Sequence, residues 1–137
     1  MAILPIDRAY SEIFALLIEA RDCVIDMRRR RGAHYAGSVD ARASYEALRV
    51  TSRLTHAMAW VMVQKAVGSG EMTVQEARDE RHRLGGQQVC LHEPEEDLDL
   101  PPHLDSLLSR SLAIYRRIER LDRQHGGGQH GGVPASH

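Results

Sequence analysis

Lysine is nearly absent from this sequence: it occurs once, at Lys65, and arginine supplies the rest of the 18 cations. Aromatic residues make up only 4% of the chain, so its core must be built mainly from Leu, Ile, Val, Met and Ala. There are two cysteines, Cys23 and Cys90. Two are too few for a disulfide framework, and free thiols in a reducing cytosol are expected. No excess of either charge sign exists, because 18 cations face 19 anions and leave a formal net charge of -1. Nonspecific nucleic-acid binding needs a clear cationic excess, so that class is disfavoured. Long hydrophobic runs are also missing. The uncharged stretch Thr55–Val63 spans nine residues between Arg53 and Lys65, short of the roughly 17–25 that a bilayer span requires. At the N-terminus, "MAILPIDRAYSE" has no basic lead, is broken by Pro5 and is closed by Asp7, unlike a secretory signal. A cytoplasmic protein without membrane contact is the expectation.

What remains is a helical pattern in a chain of 137 residues, enough for one domain with a modest core. From Asp7 to Arg31 apolar residues recur at helical spacing, including Tyr10, Ile13, Phe14, Leu17, Ile18, Val24 and Ile25, with "RRRR" at Arg28–Arg31 and a stop at Gly32. The arginine run complements a helix C-terminus, with Asp26 in pairing range. A second helix is expected from Ser38 or Asp40 to Val67, ended by "GSG" at Gly68–Gly70. Its second half is apolar nearly all round, through Met58, Trp60, Val61, Met62, Val63 and Val67, so more than one neighbour must cover it. With a turn near Tyr35 or Ala36, the two helices pair antiparallel wherever residue numbers sum to about 71. That register places Leu17 beside Leu54, Ile13 beside Met58, Asp22 beside Arg49 and Glu19 beside Arg53.

"TVQE" at Thr73–Glu76 reads as a capping box that opens a short polar helix to about Leu84, before Gly85 and Gly86. Gln87–Pro102 is an irregular acidic and proline-containing loop. A last helix follows to Asp122 or Arg123, with Leu104, Leu107, Leu108, Ser111, Ile114, Tyr115, Ile118 and Leu121 on its stripe. Residues 124–137 form a Gly/His tail expected to be disordered. The expected fold is all-α: a three-helix bundle of two long antiparallel helices and a C-terminal helix over 1–123, with a short extra helix, forming a homodimer.

Motifs that carry site chemistry are few. A di-metal bundle uses paired Glu-x-x-His motifs, and the sequence offers only Asp79-x-x-His82. Cys90 and His92 lack two further ligands with zinc spacing, and His125, His130 and His137 sit in a glycine-rich tail that does not preorganise a metal. No nucleophile elbow or phosphate loop occurs. Neither an enzyme nor a cofactor or metal is expected. On the second helix Arg42, Glu46, Arg49, Arg53, Trp60 and Gln64 fall within an arc of roughly 60°. This strip reads either as structural, with Arg49 and Arg53 paired to Glu19 and Asp22 and the Trp60 N–H wet, or as a docking surface rich in interface residue types.

"RVTSRL" at Arg49–Leu54, Trp60, "QKAV" at Gln64–Val67 and "GEMT" at Gly70–Thr73, with "LPPHLDSLLSRSLAIYRRIERLD" at Leu100–Asp122, resemble the signature of the regulator of CtrA degradation family of alphaproteobacteria. Ala59 stands where that family often has serine, and the Gly/His tail departs from its C-terminus. The resemblance implies a dimeric helical bundle without enzymatic activity. Such a protein is an adaptor that helps the ClpXP protease receive cell-cycle clients and works with further protein adaptors, one of them a small receiver-domain protein. Candidate partner-binding residues are then Arg49, Arg53, Trp60, Gln64 and Glu71, and the candidate seam of core and dimer is Met58, Val61 and Met62. Two rival readings remain: a DNA-associated regulator using "RRRR" with Arg49 and Arg53, and a sensor that binds a small molecule beside Trp60.

Overall fold

The computed structural model describes residues 3–33, 37–92 and 100–132. Three long helices carry the architecture: α1 over Ile3–Ala33, α2 over Gly37–Gly68 and α5 over Pro102–Gly132. Between α2 and α5 lie two single-turn helices, α3 at Val74–Ala77 and α4 at Gln87–Cys90, with a 3-10 turn at Glu80–His82 between them. Among the described residues there is no strand, and no helix is long and apolar enough to cross a membrane. The chain is an all-α bundle, as the periodicity predicts.

Local chemistry explains where these elements start and stop. Helix α1 begins before the expected Asp7, because Pro5 falls in the first turn, where no backbone donor is needed. Helix α2 ends in a Schellman motif: the Gly70 N–H donates to Val67 O at 3.1 Å and the Glu71 N–H to Ala66 O at 2.9 Å. Gly70 carries the required positive φ of 85°. The capping box is present, with Thr73 Oγ1 accepting from the Glu76 N–H at 3.0 Å and Glu76 Oε1 from the Thr73 N–H at 2.9 Å. The helix it opens stops at Ala77 and does not reach Leu84. There the Asp79 carboxylate accepts from the Arg81 N–H at 3.1 Å and starts the 3-10 turn instead.

The antiparallel register of α1 and α2 is as expected. Lys65 Nζ meets Asp7 Oδ1 at 3.1 Å and stands 4.9 Å above the Tyr10 ring, with numbers summing to 72 and 75. The expected turn at Tyr35 and Ala36 lies outside the described residues. The expected ion pairs between these helices do not form. Glu19 accepts instead from Arg110 on α5, at 2.8 and 3.0 Å, and lies 3.3 Å from His103. Asp22 takes the guanidinium of its neighbour Arg21 at 3.1 Å. Glu12 likewise pairs with Arg117. Helix α5 occupies the flank of α1 that carries Glu12 and Glu19, while Arg49 and Arg53 project from the side of α2 turned away from α1. Ile13, Leu54, Val61, Leu104, Leu107, Tyr115 and Ile118 fill the space between the three helices and are fully or almost fully buried.

Two expectations about irregular segments change. The segment Gln87–Pro102 opens with helix α4, which buries Cys90, while its acidic stretch 93–99 lies outside the described residues. Helix α5 does not end at Arg123 but continues to Gly132, taking in much of the Gly/His segment; residues 133–137 are not described. Packing holds the first residues of the continuation. The His125 ring meets Trp60 edge-on at 5.4 Å, and a Cβ added at Gly126 would come within 2.5 Å of the Arg83 guanidinium.

The Glu19 carboxylate is held down to about 2 from its ordinary 4.5, chiefly by the Arg110 hydrogen bond, with His103 adding to it. Its folded-state pKa lies below the unfolded one, so the link from α1 to α5 stabilises above about 4.5 and weakens as pH falls toward 2. Thermal melts followed by circular dichroism should show Glu19→Gln with a lower Tm than wild type near neutral pH. The gap should close across that acid window; a gap unchanged by pH contradicts the assignment.

Candidate functional site

The middle of the polar strip of α2, from Glu46 to Trp60, faces inward, while Arg42 at one end is exposed and Gln64 at the other is half-buried. Arg49, Arg53 and Trp60 retain only 2%, 3% and 2% of their accessible surface. Arg53 Nε donates to Cys90 O at 2.8 Å, and Nη1 to Leu108 O at 2.9 Å and Ser111 Oγ at 3.2 Å. One guanidinium thus ties α2 to both α4 and α5. Burial, and then the nearby charge of Arg49, pushes its pKa down from the ordinary arginine value. Arg49 pairs with Glu46 at 3.1 Å along the helix and stacks over Tyr45 at 5.2 Å.

Trp60 lies about two turns beyond Arg53 along the strip. Its N–H, expected to be wet, donates to Asp122 Oδ1 at 2.9 Å. Arg83 grips the same residue, through Nε to Oδ1 at 2.8 Å and Nη2 to the backbone O at 3.2 Å. The space beside Trp60, where a small ligand was one expectation, is taken by Asp122 and His125. Nearby, the Tyr115 hydroxyl donates to Gly85 O at 2.6 Å, and burial pushes this phenol's pKa up. Ser52 Oγ lies 3.6 Å from Cys90 Sγ, and His56 Nδ1 lies 2.9 Å from Ser52 O. Gly86, at a φ of 79°, lets the chain pass His56 where a Cβ would come within 2.8 Å of the ring. Among the described residues no three His, Cys, Asp or Glu side chains are gathered as a metal site would require.

Of the remaining candidates, Gln64 is half-buried and Glu71 exposed. Val61 is core, Met58 is half-buried, and Met62 is 49% exposed. Met62, expected in the seam of core and dimer, belongs to an exposed surface. Along α1, Phe14, Ile18 and Ile25 are 52%, 38% and 41% exposed; along α2, Leu48 is 68% exposed. These side chains lie on the flank of the α1–α2 pair away from α5, where no element among the described residues covers them. A hollow of about 260 Å³ opens there, between Val24, Met27 and Arg28 on α1 and Ser44, Ala47, Leu48 and Thr51 on α2. The available signal was the width of the apolar arcs, which one neighbouring helix cannot cover. Asp122 and Ser111 were missed as partners of Trp60 and Arg53, although Ser111, a polar residue inside an apolar stripe, marked a buried acceptor.

This arrangement makes the inner strip a scaffold and the outer α1–α2 flank the surface open to a partner. Comparison with known proteins agrees with the architecture. The family described as "Protein of unknown function (DUF1465)" matches residues 3–135. The crystal structure of RcdA from Caulobacter crescentus CB15 superposes with a TM-score of 0.69 at 28% identity, covering 88% of this chain and 89% of that one. No curated protein matches the sequence.

Replacing Asp122 by Ala strands the Trp60 N–H and the Arg83 Nε–H together, and should cost about 2–4 kcal/mol in urea unfolding followed by fluorescence of the single tryptophan. Asp122→Asn keeps an acceptor and should cost less. Arg53→Glu places a carboxylate against two carbonyls, so it should abolish cooperative folding; a folded variant that lost only partner binding would return Arg53 to a docking role.

Proposed function

This chain belongs to the RcdA-like family described as DUF1465, and on that premise we propose that it is a non-enzymatic adaptor in regulated proteolysis. In this reading it helps deliver cell-cycle regulators to the ClpXP protease in the cytoplasm, through contacts with client and adaptor proteins. The likeness to RcdA over nearly the whole chain carries the proposal, with its name as a regulator of CtrA degradation indicating the process. The outer flank of α1 and α2 gives physical support. Several large apolar side chains exposed together are a protein-contact surface more often than a solvated one. Balanced charge supports protein partners over nucleic acid.

We assign part of that flank to a homodimer. Gln64 and Glu71, near the C-terminal end of α2, are the two candidate partner-binding residues with accessible surface, and they are proposed to touch an adaptor or client. Arg53 and Trp60 support this contact indirectly by fixing α2 against α4 and α5, while Arg49 is held along α2 by Glu46.

Reconstituted ClpXP, its adaptors and a CtrA-type response regulator should degrade the client several-fold faster when this protein is added. Unchanged degradation of every client tried, with no adaptor co-eluting, overturns the function while leaving the fold intact. In the same assay Gln64→Glu combined with Glu71→Lys should reduce delivery without loss of helical circular dichroism.

A further inference from the structure

An adaptor must touch at least two other proteins, and the apolar flank with the end of α2 accounts for one side of the bundle. Helix α5 packs on the opposite side, so its outward face stays open whatever sits on that flank. From Ser109 to Gln124 this face consists of Ser109, Ala113, Arg116, Arg120, Arg123 and Gln124. All six are exposed, and they fall within an arc of about 100° at helical spacing. The arc holds three cations and no acid. The other charges of this part of α5 leave it positive. Arg110 and Arg117, at its α1 edge, are neutralised by Glu19 and Glu12. Asp122 is buried and accepts from Trp60 and Arg83. Glu119 keeps 19% of its side chain accessible and reaches Arg123 only at 3.9 Å, leaving that arginine side chain 67% exposed. Arg120 has no ionic partner among the described residues.

The spacing of these cations selects the chemistry of what they meet. Arg116, Arg120 and Arg123 stand at i, i+4 and i+7, neighbours along one side of the helix over about 10 Å. A guanidinium fork offers a carboxylate two parallel N–H donors. Carboxylates at the same spacing on a second helix therefore face the three arginines in turn. Ahead of them Ser109 and Ala113 are small, so no long side chain holds a second helix away from that end of the face. A nucleic-acid duplex fits less well, because its phosphates extend far beyond this short track and a chain of net charge -1 has no wider cationic field to meet them.

We infer that the outward face of α5 docks an acidic helix of a partner protein, with Arg116, Arg120 and Arg123 each facing a carboxylate. The inference rests on the adaptor reading above and gives the chemistry of one of its partners. The test uses the full chain and a fluorescein-labelled alanine–glutamine helix carrying glutamates at i, i+4 and i+7, read by fluorescence anisotropy. This peptide should bind more tightly than one of the same composition with its glutamates spread around the helix. Binding should weaken as salt shortens the screening length from about 10 Å at 0.1 M to about 3 Å at 1 M. Arg120→Glu combined with Arg123→Glu should lower the affinity about tenfold with helical circular dichroism unchanged. Arg21→Glu combined with Arg81→Glu, the same charge change at exposed positions off the face, should leave it as it is. If the first pair loses helicity, Arg120→Gln with Arg123→Gln removes the charge without adding acids to α5 and carries the same readout. In the ClpXP assay that pair should also slow delivery. Equal affinity for the two peptides, equal losses in the two double variants, or tighter binding of a random DNA duplex overturns the acidic partner. Full delivery by a variant that no longer binds the peptide overturns the face as a delivery contact. A chain that distinguishes the peptides yet speeds no client's degradation keeps this face and loses the adaptor reading.

Discussion

Arg53 is a cation withdrawn from water in the middle of the longest helix, and the rest of the structure is arranged to satisfy it. A guanidinium presents its donors in a rigid planar fork, so its acceptors must sit at fixed places. Here they are the carbonyl of Cys90, the carbonyl of Leu108 and the hydroxyl of Ser111. Those groups belong to two elements far along the chain. A buried charge left unsatisfied costs several kcal/mol, so wherever Arg53 is buried, α4 and α5 must be in place. The constraint is directional, which apolar packing alone is not.

Farther along α2 the same device recurs with an aromatic donor. Trp60 and Arg83 converge on Asp122, joining α2, the segment after the 3-10 turn and the end of α5 at one carboxylate. Tyr115 adds a bond from α5 to Gly85. Together these contacts explain why a segment built from short turns and glycines holds a defined path across the bundle, and why α5 continues past Arg123 into a composition that promises little helix. The Glu19 and Glu12 pairs lock α1 to α5 on the opposite flank, in water, where they contribute register more than stability.

With one flank of the bundle closed by polar connections, the other is left with apolar side chains that no element among the described residues covers. That division suits an adaptor: an internally braced subunit presents a fixed face, and recognition needs little rearrangement. The inner strip and the outer flank lie on opposite sides of the same helix. Substitutions on one act through stability and those on the other through association, so the two roles can be separated experimentally.

Sequence periodicity and spacing determined the three long helices, the antiparallel register of α1 and α2 and the capping box. Each depends on spacing along a single rod or on groups a few residues apart. The quoted motifs likewise carried the family resemblance, and the all-round apolarity of α2 announced that it needed more than one neighbour. Which neighbour each face received was a matter for tertiary structure. Arg49, Arg53 and Trp60 have the composition of a docking surface, and the burial of Arg53 and Trp60 follows from Cys90, Leu108, Ser111 and Asp122 arriving from more than thirty residues away. A polar side chain's exposure depends on whether distant acceptors reach it, and no periodicity within its own helix encodes that. The same reasoning covers Phe14, Ile18, Ile25 and Leu48: hydrophobic pattern marks an arc as buriable, and only the packed bundle decides which part of the arc stays open.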